Sequence, residues 1–292
     1  MIRASDFIHP EDAAALEQME NIPGFPLLVK KFLSLGFERL QYGINMASAI
    51  RLSPTQLPEL YNRLPSICKQ LGIEEPEFYL QMDPQPNAWT FGDTRVFITI
   101  SSGLVEMMND MELDAVIAHE CGHILCHHVL YHSLAQYILT GVDAFDILGA
   151  LTIPIQYAIL YWQRKSELSC DRTASIVTSP ETVASAMARL SGGPVSITSR
   201  INLEEWARQA DQYEEIRNDG LWNKALQIYA IASQNHPFSA VRVREILKWA
   251  QSEQYRDVKQ LFEDGPSGRR CSYCGCRLEE GWQYCKGCGE RL

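Results

Sequence analysis

The sequence predicts an α+β fold that is mainly α, with a small sheet and a separate C-terminal metal-binding ribbon. Three observations predict it. Apolar residues recur at helical spacing over most of the chain, as at Leu57, Leu60, Leu64, Ile67, Cys68 and Leu71. Residues 87–92 and 95–100 are instead rich in β-branched and aromatic residues around Gly92-Asp93, the pattern of a hairpin. Two CxxC pairs, Cys271/Cys274 and Cys285/Cys288, lie near the C-terminus.

The 292 residues suffice for one large domain and a small appendage. Residues 1–264 read as the large domain, with its core at about 60–250, and 265–270 as a Gly/Pro/Ser/Arg linker. Residues 271–292 form the appendage. A net charge of −10 argues against nucleic acid or an anionic membrane as the main partner. Five of the nine cysteines fall in the appendage, and the N-terminal stretch lacks an apolar leader run. Thiols rather than disulfides, and a cytoplasmic location, are therefore expected.

From the start, a helix is expected over 11–20 behind Pro10, with His9 a capping or surface residue. The run Asn21-Ile-Pro-Gly-Phe-Pro breaks it, and 27–35 resumes helical spacing. An amphipathic helix over 57–71 precedes a strand at 77–82, the hairpin, and a short helix at 104–108. Asn109-Asp110 then caps a helix free of proline as far as Leu130. Residues 134–142 and 147–162 are strongly apolar but too short to span a membrane. They read as buried or interfacial helices, with membrane contact or anchoring through 134–162 as the alternative. Further helices are expected from Gln163 to about Val177, over 179–190 and 201–217, near 221–234, and over 239–262.

The capped helix carries His119-Glu120-Cys121-Gly122-His123. Side chains four apart share a helix face, so His119 and His123 can offer ring nitrogens to one metal ion. Glu120 stands beside them, placed to take a proton from a metal-bound water. A third protein ligand is needed, and Glu167, Asp171, His127, His128, His132 and His236 are the candidates. A ligand another turn along the same helix lies too far away, which favours a carboxylate on a second helix. Glu167 and Asp171, four apart, share such a face. One can ligate while the other orients an imidazole.

HECGH at 119–123 followed by ELSCD at 167–171 resembles the HtpX-like zinc metallopeptidases of the gluzincin type, a family that includes the CAAX prenyl proteases. Asn87-Ala88 with Gly92, residues 99–104, and His236-Pro237 with Arg242 resemble further motifs of that family in the same order. The resemblance implies a zincin-like metallopeptidase domain whose zinc ligands are His119, His123 and Glu167, with Glu120 as general base. It further implies Asp171 behind His119, Arg242 organising that corner, and His236 stabilising an oxyanion. The hairpin edge at Asn87 and Ala88 is expected to hold an extended polypeptide substrate as an added strand.

The two CxxC pairs form a zinc-ribbon signature, in which Cys271, Cys274, Cys285 and Cys288 close a structural site and Cys276 is spare. Two zinc ions are thus expected, one catalytic and one structural. Near-balanced local charge points the ribbon towards a protein partner. Cys121 and Cys126 read as small core residues.

Overall fold

The computed structural model describes residues 2–139, 152–218, 239–264, 271, 276, 278 and 282–291. Helices α1 (Ala4–Phe7) and α2 (Pro10–Glu20) come first, α2 capped by the His9 imidazole, which accepts from the Glu11 N–H at 3.2 Å. Helices α3 (Phe25–Ser34) and α4 (Phe37–Ser48) follow, then β1 (Ile50–Arg51), α5 (Pro58–Tyr61) and α6 (Arg63–Leu71). Strands β2 (Glu77–Gln81), β3 (Ala88–Gly92) and β4 (Val96–Ser101) complete the sheet. Helices α7 (Ser102–Met107), α8 (Asp110–Leu125), α9 (Val129–Leu139) and α10 (Thr152–Val177) come next. Last are α11 (Pro180–Gly192), α12 (Val195–Thr198), α13 (Leu203–Asn218), α14 (Ser239–Ala250) and α15 (Glu253–Glu263). The α+β, mainly helical class is the one the sequence predicts.

The sheet runs β1-β2-β4-β3, with β2 parallel to β4 and the outer pairs antiparallel. This order leaves β3 at an edge, beside α8. The β3–β4 turn is held from outside. The Glu38 carboxylate accepts from the N–H groups of Asp93, Thr94 and Arg95 at 2.8–3.2 Å. Gly92 has φ of 130°, and a Cβ there would lie 2.0 Å from the Arg95 carbonyl oxygen.

Two apolar clusters hold these elements together. One joins α6, β2, β4, α8, α11 and α14 through Leu64, Phe78, Ile98, Ile117, Val183 and Val243. The other joins α2, α3, α9 and the first half of α10 through Met19, Phe25, Leu134, Ile159 and Trp162. Helices α8 and α10 cross at Gly122, where an added Cβ would meet the Cys170 Cα and the Thr173 side chain at 3.0 Å. A hydrogen at this position lets the second helix come this close.

Several boundaries differ from the expectation. Helix α8 ends at Leu125, not near Leu130. His127 takes the left-handed conformation (φ 59°), and the His128 N–H bonds the His123 carbonyl at 2.8 Å. His127 therefore lies off the His119–His123 face. Residues 152–177 form one continuous 26-residue helix, with no new start at Gln163. Pro154 falls in its first turn, where no intrahelical donor is lost, and the buried Trp162 bridges the expected break. The helix expected over 57–71 divides at Asn62, and that over 239–262 divides at residues 251–252, where Ser252 caps α15. The strand β1 was not anticipated. The expected helix at 221–234, His236-Pro237, the linker and residues 140–151 of the apolar region lie outside the described residues. Among the described residues no helix is long and apolar enough to cross a membrane.

Candidate metal centre

Helix α8 starts with a capping box: Asn109 accepts from the Glu112 N–H at 2.9 Å, and the Glu112 carboxylate accepts from the Asn109 N–H at 3.1 Å. This fixes the helix that carries His119, Glu120 and His123, all buried. Helix α10 brings Glu167 and Asp171 to the same place, and α14 brings Arg242. The His119 Nε2 lies 3.4 Å from one Glu167 carboxylate oxygen, and the His123 Nε2 lies 3.5 Å from the other. Donors held 2.0–2.1 Å from one tetrahedral ion sit about 3.4 Å apart. Among the described residues the buried His119 Nε2 has no hydrogen-bond partner, an orphan that a metal would satisfy. The donor set and its spacing fit a zinc ion.

The opposite nitrogen of His119 faces Asp171 at 3.0 Å. Arg242 spans both carboxylates: its Nε donates to Asp171 at 2.8 Å, and its Nη1 lies 2.8 Å from Glu167. Burial alone would neutralise these acids. Arg242 and His119 outweigh it and hold Glu167 well below the usual carboxylate range, and Asp171 is lowered in the same way. Burial opposes charge on His119, but Glu167 and Asp171 push its pKa up to about 10.

Glu120 is held from the sheet. The Thr90 hydroxyl donates to its carboxylate at 2.6 Å. The Ser101 N–H of β4 bonds the carbonyl of Asn87, just before β3, at 2.9 Å, so ladder alternation aims the N–H and C=O of Ala88 and Thr90 at the outer edge. The Gly92 N–H, next in that series, donates to the Ser133 hydroxyl at 3.0 Å, so α9 closes one end of the edge. A cleft of about 430 Å³, counting space open to solvent, joins Ala88 to His119, Glu120 and Arg242, with Leu104, Val116 and Met187 in its wall.

Three functional candidates escaped the sequence reading. Thr90 is one, although strand alternation from Ala88 places it on the same side of β3. Cys170 is the second: its sulfur and one nitrogen each of His119 and His123 lie within 4.8 Å of one another. The third is Asp12, at the centre of a buried polar layer. His128 meets Asp12 at 3.1 Å, and Asp12 accepts from the Trp162 indole at 3.1 Å and from Ser169. His132, weighed above as a third ligand, has a ring 4.4 Å from that of His123, and its Nε2 pairs with the Ser166 hydroxyl at 2.8 Å. Donor atoms of His123, His132 and Glu167 also lie within 4.8 Å of one another. Cys121 is buried, its thiol pushed up by Cys68 and by burial. His236 lies outside the described residues.

Near the C-terminus, Cys271, Cys285 and Cys288 bring their sulfurs within 4.8 Å of one another, with Cys271 and Cys288 at 3.6 Å. Thiolates 2.3 Å from a tetrahedral zinc sit about 3.8 Å apart. The Gly287 N–H donates to the Cys285 sulfur at 3.3 Å, as in a metal-binding knuckle. Cys274 lies outside the described residues.

Residues 54–250, which include every element of the metal centre, match peptidase family M48. Over 262 residues the chain is 32% identical to the plastoglobule-localized metallopeptidase 48, chloroplastic, of Arabidopsis thaliana, covering 87% of this chain and 75% of that one. It is 26% identical to a protease HtpX homolog of Tropheryma whipplei, covering 58% of this chain and 74% of that one. A protease HtpX homolog of Bacteroides fragilis is 29% identical, over 46% of this chain and 53% of its own. The paired histidines, the facing carboxylate and the extent of these matches agree: the chain belongs to the metallopeptidases of family M48.

Proposed function

We propose that the protein is a zinc metalloendopeptidase that cleaves extended or unfolded polypeptides. His119, His123 and Glu167 hold the catalytic zinc, and Glu120 is the general base. The reading rests on one observation above all: two imidazole nitrogens on α8 meet both oxygens of a carboxylate on α10 at 3.4 and 3.5 Å. Zinc bound there lowers the pKa of a water towards ~7 and polarises the scissile carbonyl. Glu120, its carboxylate aimed by Thr90, takes a proton from the water and returns it to the leaving amine. Asp171 fixes the tautomer and ring angle of His119, and Arg242 offsets the charge of the two buried acids. The substrate lies along β3 as an added strand, past Asn87 and bonded through Ala88, beside His119 and Glu120.

Residues 1–264 act as the peptidase domain, and the ribbon holds a second, structural zinc on Cys271, Cys274, Cys285 and Cys288, offering a surface to a protein partner. The enzyme works in the cytoplasm. Changing Glu120→Gln tests the assignment. The variant is expected to keep its full zinc content and lose casein cleavage by at least about a hundredfold. Retained cleavage would remove Glu120 from the mechanism.

A further inference from the structure

The corner where α3 meets α4 carries apolar side chains that stay exposed among the described residues. On α3 the inward stripe Phe25, Leu28 and Phe32 already fills the second cluster, and at the start of α4 Phe37 stacks on Tyr137. On the outward side Leu33 is 46% exposed, Leu40 54% and Ile44 47%, with Leu35 at the turn between the helices. Leu40 and Ile44 are four apart and share one face.

The same two helices expose the cations Lys30 and Lys31, on α3, and Arg39, on α4 beside Leu40. The neighbouring Glu38 is turned away, its carboxylate engaged by the hairpin turn. Residues 25–48 therefore carry three cations and one acid, in a chain whose net charge is −10. Screening over about 8–10 Å at physiological salt isolates this patch from the acidic remainder.

Exposed apolar patches mark docking sites, and the chemistry of the rim selects the partner. Lysine is depleted from protein–protein interfaces, whereas short amphipathic helices with Leu on one side and Lys or Arg alongside settle into the headgroup layer of membranes. We propose that the α3–α4 corner docks the protein reversibly onto a bilayer surface carrying anionic headgroups. Leu33, Leu35, Leu40 and Ile44 enter the headgroup–acyl boundary, and Lys30, Lys31 and Arg39 contact the anions. This is attachment at the interface by a stretch outside the apolar region that the sequence singled out, and it needs no spanning helix.

Co-sedimentation of the full chain with two kinds of vesicle tests it: pure phosphatidylcholine, and phosphatidylcholine with about one-third phosphatidylglycerol. The wild type is expected to pellet with the mixed vesicles only, and raised salt is expected to release it. Leu33→Asp with Leu40→Asp is expected to weaken binding by about a hundredfold or more. Lys30→Glu with Lys31→Glu is expected to weaken it about tenfold or more without touching an apolar residue, so a folding defect in the leucine variant leaves the proposal open to refutation. Casein cleavage in solution and the melting temperature are expected to stay at wild-type values in the lysine variant. The proposal is overturned if the wild type stays in the supernatant, if it partitions equally onto neutral and anionic vesicles, or if both variants bind as well as the wild type. A concentration-dependent dimer in sedimentation velocity that the leucine variant dissolves would assign the patch to a second copy instead.

Discussion

Gly122→Ala separates helix propensity from packing at the metal centre. Propensity favours the change, because alanine in a helix interior is about 1 kcal/mol better than glycine. The crossing opposes it. The new Cβ would sit 3.0 Å from the Cys170 Cα, the Thr173 Cβ and the Thr173 hydroxyl oxygen. One of those contacts is backbone, so α10 itself must retreat by a few tenths of an ångström to reach ordinary van der Waals distance. Overpacking of this kind costs about 1–3 kcal/mol, so the net loss of stability is about 0–2 kcal/mol. The larger effect is on zinc. Glu167 is less than one turn from Cys170, and ligand distances tolerate only about ±0.2 Å. A shift of that size is expected to weaken zinc binding roughly 10–100-fold, the range of losses when supporting contacts of ligands are disturbed. Competition against a fluorescent zinc chelator reads the affinity, and a thermal melt of the chelated protein reads the stability. A variant that is more stable and binds zinc as tightly as the wild type would show that α8 and α10 do not meet through Gly122.

Three further outcomes follow from the same geometry. Thr90→Val removes the donor to Glu120 while keeping the shape, and is expected to lower kcat about tenfold with little change in KM; Thr90→Ser restores it, and an unchanged kcat in the valine variant contradicts the role. Arg242→Ala leaves Glu167 and Asp171 buried without their cation, at a cost of about 3–5 kcal/mol in the zinc-free protein, with zinc recovering part of it; a melt within error of wild type refutes this. Burial, helped by Arg172, lowers the pKa of His9 from 6.5, so the unfolded chain takes up a proton near pH 6.5 that the folded one refuses. Stability is therefore present above that pH and lost as the pH falls below it, by at most ~1.4 kcal/mol per unit. His9→Asn keeps a capping acceptor without the titration, and urea melts between pH 7 and pH 5 are expected to fall less steeply for it than for the wild type; parallel slopes contradict the assignment.

Much of this was legible in the sequence because it rests on local rules. The Asn109 cap, the four-residue spacing of His119 and His123, and the Gly92 turn are each set by neighbours in the chain. The early end of α8 was not legible, since a histidine rather than a glycine takes the left-handed position at 127. The continuity of α10 was hidden for a similar reason. The charged stretch after Trp162 reads as a new start, whereas packing of α2 and α9 on Trp162 carries the helix through. Thr90, Asp12 and Gly122 act through contacts 30, 116 and 48 residues away along the chain, with Glu120, His128 and Cys170 respectively. Periodicity in one sequence carries no record of such pairings.

The central claim is that α8 and α10 share one ion. Zinc quantification on the purified wild type and on Glu167→Ala tests it most directly. The account predicts two zinc ions per wild-type chain and one in the variant, the ribbon ion remaining. Two ions retained by Glu167→Ala at wild-type affinity would contradict it.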